Sequence, residues 1–138
     1  MTLKKYHLHI SAILLLAVCH LQFAGREFNK RRMLYPGCIT TGNQVVTLPN
    51  IPAPLIATPA SGGNCGGSYA YQWMISEGGL YYTEIAGATG PSLSFLPHLQ
   101  AVNIAPPGTM PDPKRYYIRR ATCGSEVKYT APVTITRQ

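Results

Sequence analysis

The strongest constraint on this chain is the run from Tyr69 to Ile75, where large apolar side chains occupy alternate positions. Tyr71, Trp73 and Ile75 fall on one side of an extended chain, and the residues between them fall on the other. A helix would scatter these side chains around its circumference instead of aligning them. The run therefore predicts a half-buried β-strand with Trp73 at its centre.

Short runs of the same kind recur along the chain and are separated by turn residues. The 138 residues include 13 Gly and 12 Pro, and only 12 % are charged, as is typical of many turns between short strands. We therefore expect about seven short antiparallel strands packed as an all-β sandwich. The predicted strands are Asn43–Leu48, Leu55–Thr58, Tyr69–Ile75, Leu80–Ile85, Ser92–Leu96, Arg115–Ala121 and a last strand containing Val133 and Ile135.

Strand parity also predicts the core. In Arg115–Ala121, Tyr116 and Ile118 share one face, and Tyr117 and Arg119 share the other. We expect the face with the charged side chain to be exposed. The predicted core residues are Tyr71, Trp73, Ile75, Ile85, Phe95, Tyr116, Ile118, Val133 and Ile135.

The N-terminal segment resembles an export signal. Lys4 and Lys5 precede the apolar run Ile10–Cys19, which is shorter than the roughly 20 residues that span a bilayer. We predict a helical signal peptide over 1–24, a basic linker over 25–37 and one domain over 38–138. The bases in Lys30–Arg32 oppose translocation, so an uncleaved anchor or a true start at Met33 stays open, as does lipidation of Cys19.

The formal charge of +7 is concentrated in this N-terminal part. From Cys38 onward, six basic side chains face four acidic ones, which leaves no strongly basic face to track phosphates. The composition therefore argues against a nucleic-acid partner.

Three motifs in order resemble a known type of repeat. Tyr71-Gln72-Trp73, Ile85-Ala86-Gly87-Ala88-Thr89 and Tyr116-Tyr117 with Arg119-Arg120 are similar to the YQW, IxGAT and YYRR motifs of immunoglobulin-like or PKD-like repeats in large bacterial surface proteins. Modules at the front of Rhs-type repeat proteins are similar as well. The resemblance covers about residues 38–136 and implies an immunoglobulin-like sandwich that acts as a non-catalytic extracellular module, often within a longer chain. The loop Pro97–Pro113, which precedes the strand with the Tyr and Arg pairs, is longer than in this pattern.

The cysteines fit a variant of those modules, which has one Cys before YQW and another after the Tyr/Arg strand. Cys65 and Cys123 occupy these places, and neighbouring sandwich strands could bring them together in a disulfide. Cys38 is then left as an unpaired thiol, a substitute for Cys65 in the bridge, or an intermolecular partner.

The sequence supplies little for catalysis or metal binding. A zinc site would need the three cysteines with His98, but no Cys-x-x-Cys pair supports it. A Ser–His–Asp triad would need His98 and Asp112, in or beside the Pro-rich loop, without a nucleophile-elbow motif. Glu77 and Glu84 flank a hairpin, where solvated carboxylates are the ordinary interpretation. We predict that the chain is not an enzyme and that it binds no cofactor or metal.

Binding is the remaining class of function. The Pro-rich loop Pro97–Pro113 is long and carries apolar residues. We predict a spacer or adhesion module that is secreted or lies at the cell surface and has a protein or glycan partner. We expect it to contact a membrane only through its N-terminal segment. The chain is expected to be part of a larger protein or a truncated copy. The alternative is a carbohydrate- or peptide-binding domain with Tyr81, Tyr82 and the loop as an aromatic platform. The candidate partner-binding residues are Tyr82, Val102, Ile104, Tyr117 and Arg119.

Overall fold

A computed structural model describes residues 33–47, 49–98 and 114–138. The predicted signal peptide 1–24 and the loop residues Val102 and Ile104 lie outside these ranges. Within the described residues, no helix is long and apolar enough to cross a membrane.

The described residues form one six-stranded sheet and almost no helix. Because one short 3-10 turn is the only helix there, the all-β prediction is confirmed. The elements are β1 Gln44–Val46, β2 Ala70–Ser76, β3 Thr83–Glu84, the 3-10 turn Leu96–His98, β4 Lys114–Cys123, β5 Glu126–Tyr129 and β6 Val133–Arg137.

The sheet runs in the order β1-β6-β4-β2-β3, and β5 also pairs with β4. Four of the five pairings are antiparallel, but β1 runs parallel to β6, which corrects the expectation that every strand is antiparallel. β2 and β4 share the longest ladder, with Trp73 opposite Arg119.

A β-bulge separates β5 from β6. Arg120 pairs with Tyr129 and Tyr117 pairs with Val133, so the β5–β6 side contains one residue more than β4 between these two pairs. Thr130 fills the bulge: its N–H donates to the Arg119 carbonyl at 3.0 Å, and its Oγ1 accepts from the Arg119 N–H at 2.9 Å. Pro132 is tolerated here because the regular ladder is interrupted.

A layer of irregular segments covers the inner face of the sheet. The bridges Tyr35↔Ser61, Ile39↔Ala57 and Leu55↔Leu93 hold these segments to one another. The predicted strands Leu55–Thr58 and Ser92–Leu96 are reduced here to isolated bridges. Prolines at or beside their ends remove backbone donors, so a regular ladder cannot extend.

The core lies between this layer and the sheet. Trp73, Ile85, Phe95, Val133 and Ile135 are buried in it, and Ile75 packs against it half-buried. Further buried members are Ile39, Val46, Leu55, Ala57, Ala88, Leu93 and Tyr117.

On β4 the inward face is the one opposite to that predicted, although Ile118 is buried as predicted. The register places Tyr117 and Arg119 opposite Ile75 and Trp73 on the inner face, so Tyr116 and Ile118 lie on the outer one. Tyr116 is half-buried there, whereas Ile118 is buried but belongs to neither inner cluster. The expectation that Tyr117 and Arg119 form an exposed binding face is wrong, because both side chains are buried.

A second, smaller cluster closes one end of the domain. Leu34, Ala60, Ala121 and Cys123 form it, with Cys65, Tyr69 and Tyr71 packed against it. Tyr71 therefore belongs to this cluster and not to the main core. Since Leu34 is buried and its N–H donates to Glu126 Oε2 at 2.8 Å, the packed region includes residues upstream of the predicted boundary at Cys38.

Candidate functional site

Arg119 is a charged side chain with no exposed surface. It projects from β4 into the space between the sheet and the facing layer. Its guanidinium carbon lies 4.2 Å from the centroid of the Tyr71 ring and 6.0 Å from that of Trp73. Cation–π attraction of this kind compensates part of the cost of removing the charge from water.

Three backbone carbonyls receive the guanidinium. Nη1 donates to the Pro91 carbonyl at 2.7 Å, and Nη2 donates to the carbonyls of Pro36 at 2.8 Å and Thr58 at 2.5 Å. These acceptors belong to three separate segments of the facing layer. One side chain of the sheet therefore ties all three segments to it.

The described residues provide no carboxylate for this charge, since their two salt bridges use Arg115 and Arg120. The Arg119 Nε is also buried without a hydrogen-bond partner among them. Burial lowers the pKa of the guanidinium, and the neighbouring Tyr71 raises it in opposition. The guanidinium therefore connects the sheet to the facing layer through hydrogen bonds and not through an ion pair with a described residue.

The facing layer is shaped to fit this tie. Gly37 has φ +80°, and a Cβ there would collide with the Thr58 carbonyl and approach Arg119 Nη2 to 2.8 Å. Glycine is therefore required beside the guanidinium. Trp73 forms another hydrogen bond between the sheet and the facing layer: its Nε1–H donates to the Gly90 carbonyl at 3.0 Å.

The predicted disulfide between Cys65 and Cys123 is present, with the Cα atoms 5.2 Å apart. Cys38 is also disulfide-bonded, and none of the described cysteines is a free thiol, so Cys38 neither replaces Cys65 nor stays unpaired. These bonds exclude the zinc site considered from the three cysteines. No group of three or more metal-ligating side chains occurs in the described ranges.

The proposed acid–base groups are not assembled into a site. Asp112 lies outside the described residues, so the triad with His98 has no described geometry. Glu77 and Glu84 each pair with a different arginine, Arg115 at 3.2 Å and Arg120 at 2.6 Å. The two carboxylates therefore act in separate ion pairs.

The loop between β2 and β3 forms the edge of a groove of about 440 Å³. The loop turns back at Gly79, whose φ is +75° and whose N–H donates to Ser76 Oγ at 2.9 Å. Beyond this turn, Leu80 is 81 % exposed and Tyr81 is 88 % exposed. The groove is lined by Ile75, Ser76, Glu77, Leu80, Tyr81 and Arg115, among others.

The residues predicted for binding are divided between different places. Tyr82 is half-buried and does not line the groove; burial raises its pKa, and the nearby Tyr116 raises it further. Tyr117 and Arg119 are interior, and Val102 and Ile104 lie outside the described residues. Among the described residues of the predicted aromatic platform, Tyr81 is exposed and lines the groove, whereas Tyr82 does not line it.

Sequence reasoning missed the interior position of Arg119, although one signal was available. Counting back from Cys123 in steps of two passes Ala121, Arg119 and Tyr117. Cys and Ala are among the residue types most often buried. A bridged Cys123 at the end of the inward face would have placed Arg119 on that face as well.

The comparisons with known proteins identify no relative: no family model, no curated protein and no solved structure matches this chain.

Proposed function

We propose that this chain is a non-catalytic extracellular module of immunoglobulin-like type, a spacer or adhesion unit of a bacterial surface protein. The observation that carries the proposal is the Arg119 tie, which fastens three segments of the facing layer to the sheet. The Cys65–Cys123 bridge joins the segment before β2 to the end of β4, so both layers are cross-linked by side chains, as suits a spacer that has to keep its shape.

The topology supports the immunoglobulin-like assignment. In such sandwiches, one sheet contains neighbouring strands G, F and C, and a buried Trp on strand C packs in the core. Here β6, β4 and β2 are neighbours in the same order, and Trp73 on β2 is fully buried. The covering segments 34–39, 55–61 and 85–95 lie where the second sheet of such a sandwich would lie.

The disulfide supports export, because such bonds persist in oxidising compartments. Expression of the full-length chain in a bacterial host tests this directly. We expect the protein outside the cytoplasm, accessible to an impermeant biotin reagent on intact cells, with Cys65 and Cys123 protected from alkylation. Cytoplasmic protein with alkylated cysteines would contradict the proposal.

A second candidate is recognition of a glycan or a peptide at the groove beside β3. The observation that favours it is the exposure of Leu80 and Tyr81, two large apolar side chains that a purely structural loop would not need to present together. Binding of glycan and peptide arrays by the full-length chain, compared with Tyr81→Ala, tests it. Equal signals for the two proteins would remove this candidate and leave the spacer function standing.

A further inference from the structure

We propose that the groove beside the β2–β3 loop, defined above by Ser76, Glu77, Leu80, Tyr81 and Arg115, binds one neutral hexopyranose ring of a glycan. The proposal rests on the second candidate function and specifies its ligand. It draws on three features of the groove: an exposed aromatic ring, a pair of opposite charges and the lack of a long strand edge.

The apolar part of the site is supplied by the tip of the loop. Tyr81 offers a rigid ring with only two side-chain torsions to restrain, and Leu80 stands next to it. A pyranose has one face made largely of C–H bonds, which packs on an aromatic face as other apolar groups do. Binding sites commonly combine such apolar contact with a few fixed polar groups.

The polar part is the Glu77–Arg115 pair, with Oε1 and Nη2 3.2 Å apart. The Arg115 side chain is largely buried, whereas that of Glu77 is mostly exposed. Arg115 Nη1 also donates to the Lys114 carbonyl at 2.9 Å, so the guanidinium holds Glu77 in place, and the vicinal hydroxyls of a sugar can donate to the exposed carboxylate. Because the pair has no net charge, it favours a neutral sugar over an anionic one.

An extended peptide fits this place less well. Peptides that add to a sheet edge need a row of free backbone donors and acceptors. β3 contains only Thr83 and Glu84, so the edge it offers is two residues long. A compact ligand held by side chains suits this geometry better.

The test uses the full-length chain and saturation-transfer NMR with methyl β-glucopyranoside and methyl β-galactopyranoside, each compared with N-acetylneuraminic acid. We expect saturable binding of at least one neutral glycoside, with the strongest transfer to its ring C–H protons, and none of the acid. Tyr81→Ala should weaken the affinity by about fivefold or more, the size expected from losing one aromatic contact.

Three further variants locate the site. Tyr81→Phe should bind normally, because stacking needs the ring and not the hydroxyl. Glu77→Gln should weaken binding, because the charged carboxylate is replaced by a neutral amide oxygen, which is a weaker acceptor. Tyr129→Ala is the matched control: this Tyr is 51 % exposed on β5, away from the groove, and its removal should change nothing.

The outcomes separate this inference from the function on which it rests. Peptide binding that depends on Tyr81, without sugar binding, would overturn the sugar assignment and keep the binding function. No binding of either class would overturn both. Sugar binding that is equal in Tyr81→Ala and wild type would overturn the location.

Discussion

Replacement of Arg119 by methionine tests how the two layers are held together. Methionine retains much of the aliphatic volume of the arginine stem, so the cavity is small and the principal loss is the three hydrogen bonds to partly buried backbone carbonyls. Each unsatisfied carbonyl costs about 1 to 3 kcal/mol. The substitution also removes the unfavourable free energy of burying a guanidinium, which offsets part of this loss.

We expect the loss of the three hydrogen bonds to outweigh this relief, since methionine offers no donor to the carbonyls of Pro36, Thr58 and Pro91. The net loss in free energy of unfolding should be about 3 kcal/mol, a large part of the stability of a domain this size. Arg119→Lys should lose somewhat less, because its ammonium can still donate to part of this set of carbonyls. A loss should remain, because a compact ammonium cannot reach three acceptors as the planar guanidinium does.

The assay is equilibrium unfolding in urea, followed by the fluorescence of Trp73, the one tryptophan of the chain. The midpoint should fall while the slope stays constant, as for a change in native-state stability alone. Arg120→Met is the matched control: it lies on the outer face and pairs with an exposed Glu84, so its loss should cost less than about 1 kcal/mol. An Arg119→Met protein as stable as wild type, or more stable, would refute the reasoning.

Three further predictions concern other supports of the fold. The Cys65→Ala/Cys123→Ala variant should lose about 4 kcal/mol in urea unfolding, because the bridge closes a loop with a sequence separation of 58; an unchanged midpoint would contradict this. Burial raises the pKa of Tyr117 to about 12, so its contribution to stability should be constant below pH 10 and be lost between pH 10 and about 12. In a pH series of melting curves, Tyr117→Phe should therefore show a smaller fall over this range than the wild type, and equal falls would contradict the argument. Gly37→Ala should lower the free energy of unfolding by about 2 kcal/mol or more. Gly42→Ala, which has open space around it, should change it by less than about 0.5 kcal/mol. Equal melting temperatures for the two variants would contradict the packing argument.

The sign of the Tyr117 effect follows from which form is buried. The folded protein favours the neutral phenol, because desolvation disfavours the phenolate, while the nearby Arg115 and Arg137 lower the pKa in partial opposition. In the unfolded chain the phenol of Tyr117 ionises near pH 10, so its contribution to the free energy of unfolding is complete below that pH. It is lost as the pH rises toward the folded-state pKa.

Local sequence determined the features that depend on neighbouring residues alone. Alternation around Trp73 specified a strand with that ring inward, and Gly and Pro placed turns between short strands. The bridge between Cys65 and Cys123, with a sequence separation of 58, is predicted from the resemblance and from the expected adjacency of their strands in a sandwich, and not from local sequence alone.

Tertiary structure decided which face of β4 is buried and how the second layer is built. Alternation looks the same whichever face points inward, so only the register with β2 and β6 assigns Tyr117 and Arg119 to the interior. A buried guanidinium is stable only if acceptors surround it, and its three carbonyls come from positions 28, 61 and 83 residues away in the chain. Local sequence therefore predicts that Arg119 is exposed, whereas in the folded protein it is buried and hydrogen-bonded. The reason is that its acceptors come within reach only after the two layers have packed.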